Sequence, residues 1–319
     1  MFVLDTPARM ARSGLARAVC FFLLAAAPCW QRASAAKGTQ VQPDCKVQNA
    51  TTMCNCSDQP SKATREEPVN DATLSESTNI LQVQCKQPSA FVPAGTSVCA
   101  GTGAEASLTA CKASEGGSPK VPISTLLAKI PSSTTAWEAS DDTSSLTIPS
   151  ASFPFVDKDF FVGCSNGDSS SCVVNVTVKA RKSLLKENVL TCSYGAESNQ
   201  PVPKTTLDST NNSLTVVCGT DGTMPLTAGV PTIYLCKDPE TDVCTTVEDV
   251  TEVFPGFSKA WWTKQDGQEN AAKLTIPKDG FPVEPKTVMF GCSLQVQPPL
   301  RKMRRKRTGW MQLSFLHAR

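Results

Sequence analysis

The stretch LTIPSASFPFVDKDFFVGC, from Leu146 to Cys164, recurs as LTIPKDGFPVEPKTVMFGC from Leu274 to Cys292. The Leu-Thr-Ile-Pro opening, the Phe-Pro step and the Gly-Cys ending return in the same spacing, without insertion or deletion. A chain that carries such a stretch twice contains one structural unit twice, and this repeat constrains every later step. Upstream, Trp137 answers to Trp261 and Trp262, and the close pair Cys99 and Cys111 answers to Cys236 and Cys244. Further back, NILQVQC ending at Cys85 matches NSLTVVC ending at Cys218, and Cys56 matches Cys192. Strict spacing in one segment and loose spacing elsewhere is the pattern of a duplicated domain with variable loops.

The local pattern is β. Leu81, Val83 and Cys85 share one face with Gln82 and Gln84 opposite, and Cys172, Val174, Val176 and Val178 alternate with Asn175 and Thr177. A period of two marks strands with one buried face. Pro, Gly, Ser and Asn fill the intervals, and STLLAKI (Ser124–Ile130) is the one short helical candidate. Short strands, frequent turns and several cysteines in units of roughly 120–130 residues predict an all-β chain of two tandem β-sandwiches. The seam falls near Ala180–Lys182. In the repeated stretch, Leu146 and Ile148 point inward with Thr147 outward, and Pro149 ends the strand because it cannot donate to a ladder. Phe153 and Phe281 are expected to plug the two cores, which makes the repeat a scaffold element.

The N-terminus reads separately. Arg9, Arg12 and Arg17 precede the apolar run Ala18–Trp30, and small residues follow at Ala33–Gly38. This is the layout of a secretory signal cleaved near Ala35 or Ala36, and the run is shorter than the ~20 residues of a membrane span. The expected organisation is a signal over residues 1–36, a first sandwich over 37–181, a second over 182–300 and a basic tail over 301–319. Of 15 cysteines, Cys20 and Cys29 leave with the signal, so 15 − 2 = 13 enter an oxidising compartment. Cysteines there form disulfides. Zinc is disfavoured because the single histidine, His317, lies near the end, and Cys54-Asn55-Cys56 lacks the following helix of a redox pair.

The nominal net charge of +2 is segregated. Residues 45–180 carry 9 Lys and Arg against 13 Asp and Glu, and residues 181–300 carry 10 against 14, so each body stands at −4. The positive balance sits in the signal region and in RKMRRKRTGW (Arg301–Trp310). A nucleic-acid partner is therefore not expected.

No catalytic constellation is present. One terminal histidine removes Ser-His-Asp and Cys-His schemes, and no phosphate-cradling glycine motif follows a strand. Cys99–Ser107 holds glycines but starts at one member of the close cysteine pair, and Asp141-Asp142 and Glu66-Glu67 read as solvated loop charges. The chain is expected to be neither an enzyme nor a cofactor or metal carrier. Sequons at Asn49, Asn55, Asn175 and Asn211 are glycosylation candidates. Asn175 falls on the outer face of its strand, whereas Cys56 inside the Asn55 sequon would hinder modification.

As a set, a six-cysteine pattern, complete in the first unit and one short in the second, the W…LTIP…FP…GC segment and the terminal CVVNVTV strand resemble the SRS surface antigens of cyst-forming coccidian parasites. The resemblance spans nearly the whole mature chain; the six-cysteine proteins of malaria parasites are the nearest rival. It implies tandem β-sandwiches in a GPI-tethered coat at the parasite cell surface, with roles in host-cell attachment and immune recognition or evasion. The implied partners are a host-cell glycan or protein and antibodies, with a homodimer also allowed. Six cysteines admit 15 pairings. The family pattern chooses Cys56–Cys172, Cys85–Cys164 and Cys99–Cys111 in the first unit. Cys45 and Cys54 are additional and can bridge each other, or Cys45 can take Cys56 while Cys54 takes Cys172.

In the second unit the same pattern gives Cys218–Cys292 and Cys236–Cys244 and calls for a sixth cysteine opposite Cys192. Eight residues past Cys292 stands Leu300, and no cysteine follows. The expectation is that Cys192 stays outside the disulfides and that the last strand of this unit is missing. GWMQLSFLHAR is also too short and too polar at its end for a GPI signal. A gene-model error and a truncated, secreted or retained paralogue both account for this ending. Two functional readings follow: an adhesion and antigen module, or a secreted decoy or coat protein without a specific ligand.

Overall fold

The computed structural model describes residues 39–56, 71–102, 105–113, 120–128, 135–167, 170–227, 229–236, 244, 246–267, 270–295 and 308–315. The signal candidate, Glu66-Glu67 and the basic run 301–307 lie outside these residues.

The first sandwich begins with β1 (Thr39–Val41), β2 (Asp44–Gln48), β3 (Thr51–Cys56), β4 (Asp71–Leu74), β5 (Ile80–Cys85), β6 (Ala90–Val92) and β7 (Ser97–Ala100). Helix α1 (Glu105–Ala113) follows, then β8 (Lys120–Pro122), β9 (Glu138–Ser140), β10 (Thr143–Thr147), β11 (Lys158–Asn166) and β12 (Ser170–Val178). One sheet runs β2-β3-β5-β10-β9; the other runs β1-β12-β11-β7-β8, with β4 also on β12 and β6 also on β11. Alternation in β5 and β10 sends Leu81, Val83 and Leu146 into the core, where they meet Phe160, Val162, Val174 and Val176 from the facing sheet. Trp137 closes one side, packing on Phe91 and donating its indole N–H to the Ser97 carbonyl at 3.1 Å.

The helix of this sandwich is not where the sequence placed it. STLLAKI contributes only a 3₁₀ turn at Ile123–Thr125 (residues 129–130 are outside the described residues), and α1 forms instead upstream. Its Leu108 and Cys111 cover the outer side of the sheet against Val92, Phe161 and Val173. The Cys99–Cys111 disulfide ties it there. A sheet covered on both faces explains the unbroken burial from Phe160 to Ser165, which a half-exposed strand would not show.

The second sandwich comprises β13 (Leu184–Lys186), β14 (Val189–Thr191), β15 (Lys204–Leu207), β16 (Ser213–Val217), β17 (Gly222–Thr223), β18 (Leu226–Thr227), β19 (Val230–Pro231), β20 (Ile233–Leu235) and β21 (Thr246–Glu248). The short helix α2 (Val250–Val253), β22 (Trp262–Lys264), β23 (Ala271–Thr275), β24 (Lys286–Leu294) and β25 (Thr308–Phe315) complete it. One sheet runs β13-β14-β16-β23-β22 and the other β15-β25-β24-β20-β21, with β17 also on β24.

Strand β25 corrects the expectation that the second unit stops at residue 300 without its last strand. It pairs antiparallel with β24 and parallel with β15, as β12 pairs with β11 and β4. A strand needs backbone donors and acceptors and a register, not a cysteine. TGWMQLSF supplies these from beyond the basic run. The domain therefore extends through residue 315, and the tail 301–319 is not wholly outside it.

The repeated stretch occupies the same place in both sandwiches, strand then 3₁₀ turn then strand, at β10–β11 and β23–β24. Leu146, Ile148, Leu274 and Ile276 are buried. The two phenylalanines differ. Phe153 is fully buried, whereas Phe281 is half-buried and lies against the edge of its core rather than plugging it. Trp261 takes part of that space, lying so close to Gly280 that a Cβ there would meet its ring at 2.5 Å. Phe153→Ala is accordingly expected to cost ~3–5 kcal/mol of stability, and Phe281→Ala distinctly less. Urea unfolding of the two variants checks this, and equal losses would contradict it.

Candidate presentation surface

In the first sandwich β3 and β5 run parallel, which sets Cys56 beside Cys85 in one sheet. In the facing sheet the register of β11 and β12 sets Cys164 beside Cys172. Two neighbouring disulfides, Cys56–Cys172 and Cys85–Cys164, cross the core between these pairs. Cys45–Cys54 lies across the β2–β3 hairpin, where the two residues are register partners. Each bridge closing a long loop contributes on the order of 2–4 kcal/mol.

The second sandwich holds Cys218–Cys292 and Cys236–Cys244. The register partner of Cys292 is Gly309, where the first sandwich has Cys172 opposite Cys164. Cys192, the counterpart of Cys56, keeps its thiol and is buried; its backbone N–H donates to the Val217 carbonyl at 3.0 Å. Tyr194 is buried nearby, and its hydroxyl donates to the Cys218 carbonyl at 2.8 Å.

The cysteine-bearing end of the first sandwich is the end remote from the second. There the β5–β6 connection and the β9–β10 turn lie together beside Cys85. Asp141 and Asp142 form the two-residue β9–β10 turn, Asp141 at φ 47°. The Asp142 carbonyl accepts from the Cys85 N–H at 2.7 Å and its carboxylate from Gln87 Nε2 at 3.3 Å. These carboxylates are turn residues, and Lys86, Gln87 and Asp141 are exposed. On β2, at the other edge of the same sheet, the Lys46 ammonium sits 3.0 Å from Asp44. The surface carries both signs and is shaped by short loops on a cystine-anchored base. Among the described residues no group of three or more His, Cys, Asp or Glu is placed to hold a metal ion, and no helix is long and apolar enough to cross a membrane.

The sequons fall in different settings. Asn49 is exposed at the β2–β3 turn with φ 54°, and Asn55 is exposed on β3 between two bonded cysteines. Asn211 is exposed and donates to the Thr206 carbonyl at 3.1 Å. Asn175 is on the outer face of β12 but half-buried there, with Phe161 and Asp71 as its register partners.

Burial pushes the Cys192 thiol up to about 12, against a hydrogen bond with the Cys292 backbone that works the other way. Tyr194 is raised as well, first by burial and then by Cys192 and Asp221. A raised folded-state value means that the unfolded chain releases the proton first, so stability falls as pH rises from about 9 toward 12. For Cys192 the slope approaches ~1.4 kcal/mol per pH unit. Urea midpoints measured from pH 8 to 11 are expected to fall more steeply for the native sequence than for Cys192→Ala; parallel profiles would contradict this. Thiol counting on residues 38–319 without reductant is expected to find no reactive thiol in the folded protein and one after denaturation.

A family model for the SRS domain matches residues 50–178 and again 188–309. Among solved structures, the bradyzoite-specific antigen BSR4 of Toxoplasma gondii is 24% identical and aligns over 87% of this chain and 98% of its own, with a TM-score of 0.60. SporoSAG of Toxoplasma gondii is 15% identical over 78% of this chain and 96% of its own, at a TM-score of 0.27. Comparison with curated protein sequences finds no match. The likeness to BSR4 is one of fold. With the SRS domain matched twice across most of its length, the chain belongs to the SRS domain family of surface antigens.

Proposed function

We propose that this protein acts at the parasite cell surface, presenting the remote loops of its first sandwich to host cells and antibodies. The observation that carries this reading is the exposed loop cluster at Lys86–Gln87 and Asp141–Asp142, mounted directly on the two cross-sheet disulfides. A rigid base with short variable loops is how binding surfaces are built on sandwiches. A cleaved secretory signal and a family-type GPI tether are part of the proposal, as are glycans at the open sequons Asn49 and Asn211. The loop cluster has no excess of positive charge, and residues 45–180, which span the first sandwich, carry a net −4 by sequence count. The partner is therefore a protein or a neutral glycan rather than a sulfated polymer.

Host-cell binding of residues 38–319, followed by a glycan array, tests this. Binding is expected, and it should weaken less than about tenfold between 50 and 200 mM salt, against the ~10³-fold or greater loss typical of polyanion contacts. Substituting Lys86 and Gln87 with alanine and Asp141 with asparagine, which tolerates its positive φ, should at least halve it while leaving thermal stability unchanged. Absence of binding to any host surface would favour the decoy or coat reading instead.

A further inference from the structure

The passage between the two sandwiches is short, and it is not a loose linker. Five consecutive backbone N–H groups are engaged: Lys179 to the Leu74 carbonyl, Ala180 to Asp157 Oδ1, Arg181 to the Pro154 carbonyl, Lys182 to Glu76 Oε2 and Ser183 to the Ser198 carbonyl, at 2.8–3.1 Å. A flexible connection leaves such donors to water. Arg181 does more than pass through. Its Nε and Nη2 donate to the Phe153 carbonyl at 2.9 and 2.8 Å, and Nη2 also donates to the Ala151 carbonyl at 2.5 Å. The guanidinium lies 4.6 Å from the centre of the Phe155 ring, a cation–π arrangement.

The same turn reaches into the second sandwich. The Phe155 carbonyl accepts from the Tyr194 N–H at 2.7 Å, and Asp157 Oδ2 accepts from the Ala196 N–H at 3.2 Å. Val156 packs against the second core. Gly195 comes so close that a Cβ there would meet Asp157 Oδ1 at 2.6 Å and the Ala180 Cβ at 2.7 Å. Around the rim Lys179 pairs with Glu197 at 2.6 Å, and the Lys182 ammonium donates to the Gln200 carbonyl at 2.6 Å.

The second copy of the repeated stretch shows what this turn looks like without the joint. At the places of Phe155, Val156 and Asp157 it has Val283, Glu284 and Pro285, all exposed, Val283 at 80%. Leu-Thr-Ile-Pro and Gly-Cys are kept in both copies because both cores need them. Phe155, Val156 and Asp157, which meet the neighbouring domain in the first copy, are among the residues that the second copy does not keep.

We propose that Phe153–Asp157 and Arg181 form an interdomain lock that holds the two sandwiches as one body, so that a tether on the second fixes the orientation of the loops on the first. Hydrogen exchange on residues 38–319 tests it. The amides of residues 179–183, Tyr194 and Ala196 are expected to exchange as slowly as those of the flanking strands. Gly195→Ala, and separately Asp157→Ala, should speed exchange at Ala180, Tyr194 and Ala196 about tenfold or more, the loss of one charge-assisted hydrogen bond or its equivalent. Amides at Val83 and Leu214, in the two cores, should not change. Small-angle scattering should broaden in the same variants. Loop-like exchange across residues 180–183 in the native sequence would overturn the proposal, as would variants that alter neither exchange nor scattering. The native measurement decides even if a variant does not fold, and none of these outcomes depends on the host ligand.

Discussion

The parallel pairing of β3 with β5 is the constraint on which the first sandwich rests. Parallel strands carry matching residues side by side, so Cys56 and Cys85 stand together at one end of a sheet. The antiparallel β11–β12 pair brings Cys164 and Cys172 together opposite them. Two covalent ties then join the sheets at one end, and the core of Leu81, Val83, Leu146, Phe160 and Val174 fills the space behind them. Once the ends are fixed in this way, the loops above them can vary in sequence without loosening the sheets.

The second sandwich keeps the same pairings with one tie fewer. Gly309 faces Cys292 in the ladder, so β25 pairs with β24 and β15 without the disulfide that ties β12 in the first sandwich. What survives is hydrophobic burial around Leu214, Val216, Leu274 and Phe290 and the single cross-sheet disulfide. The buried thiol of Cys192 remains beside that disulfide, chemically quiet because burial disfavours its ionised form.

Much of the fold was legible. Alternation in ILQVQC and CVVNVTV and the spacing of the repeat marked strands, buried faces and two units, because a period of two is a local property of the chain. Pairing of the cysteines was not legible from the residues themselves, since spacing leaves all 15 arrangements open and only the family resemblance chose among them. Helix α1 escaped because the apolar residues of EASLTACKA are few and short, and Leu108 and Cys111 alone do not produce a helical period. Strand β25 escaped because the corresponding strand of the first unit is marked by a cysteine, and TGWMQLSF has none. The interdomain lock escaped for a third reason. Phe155 and Asp157 look like ordinary turn residues, and only their contacts with Arg181, Tyr194 and Ala196 distinguish them from Val283 and Pro285.

The account depends most on which cysteines meet across the core of the first sandwich. Non-reducing peptide mapping of residues 38–319 reads this directly. The structure predicts peptides joining Cys56 to Cys172, Cys85 to Cys164 and Cys45 to Cys54. Peptides joining Cys54 to Cys172 and Cys45 to Cys56 would contradict it, because they would shift β3 by two residues against its partners and remove the side-by-side pair that anchors the loops.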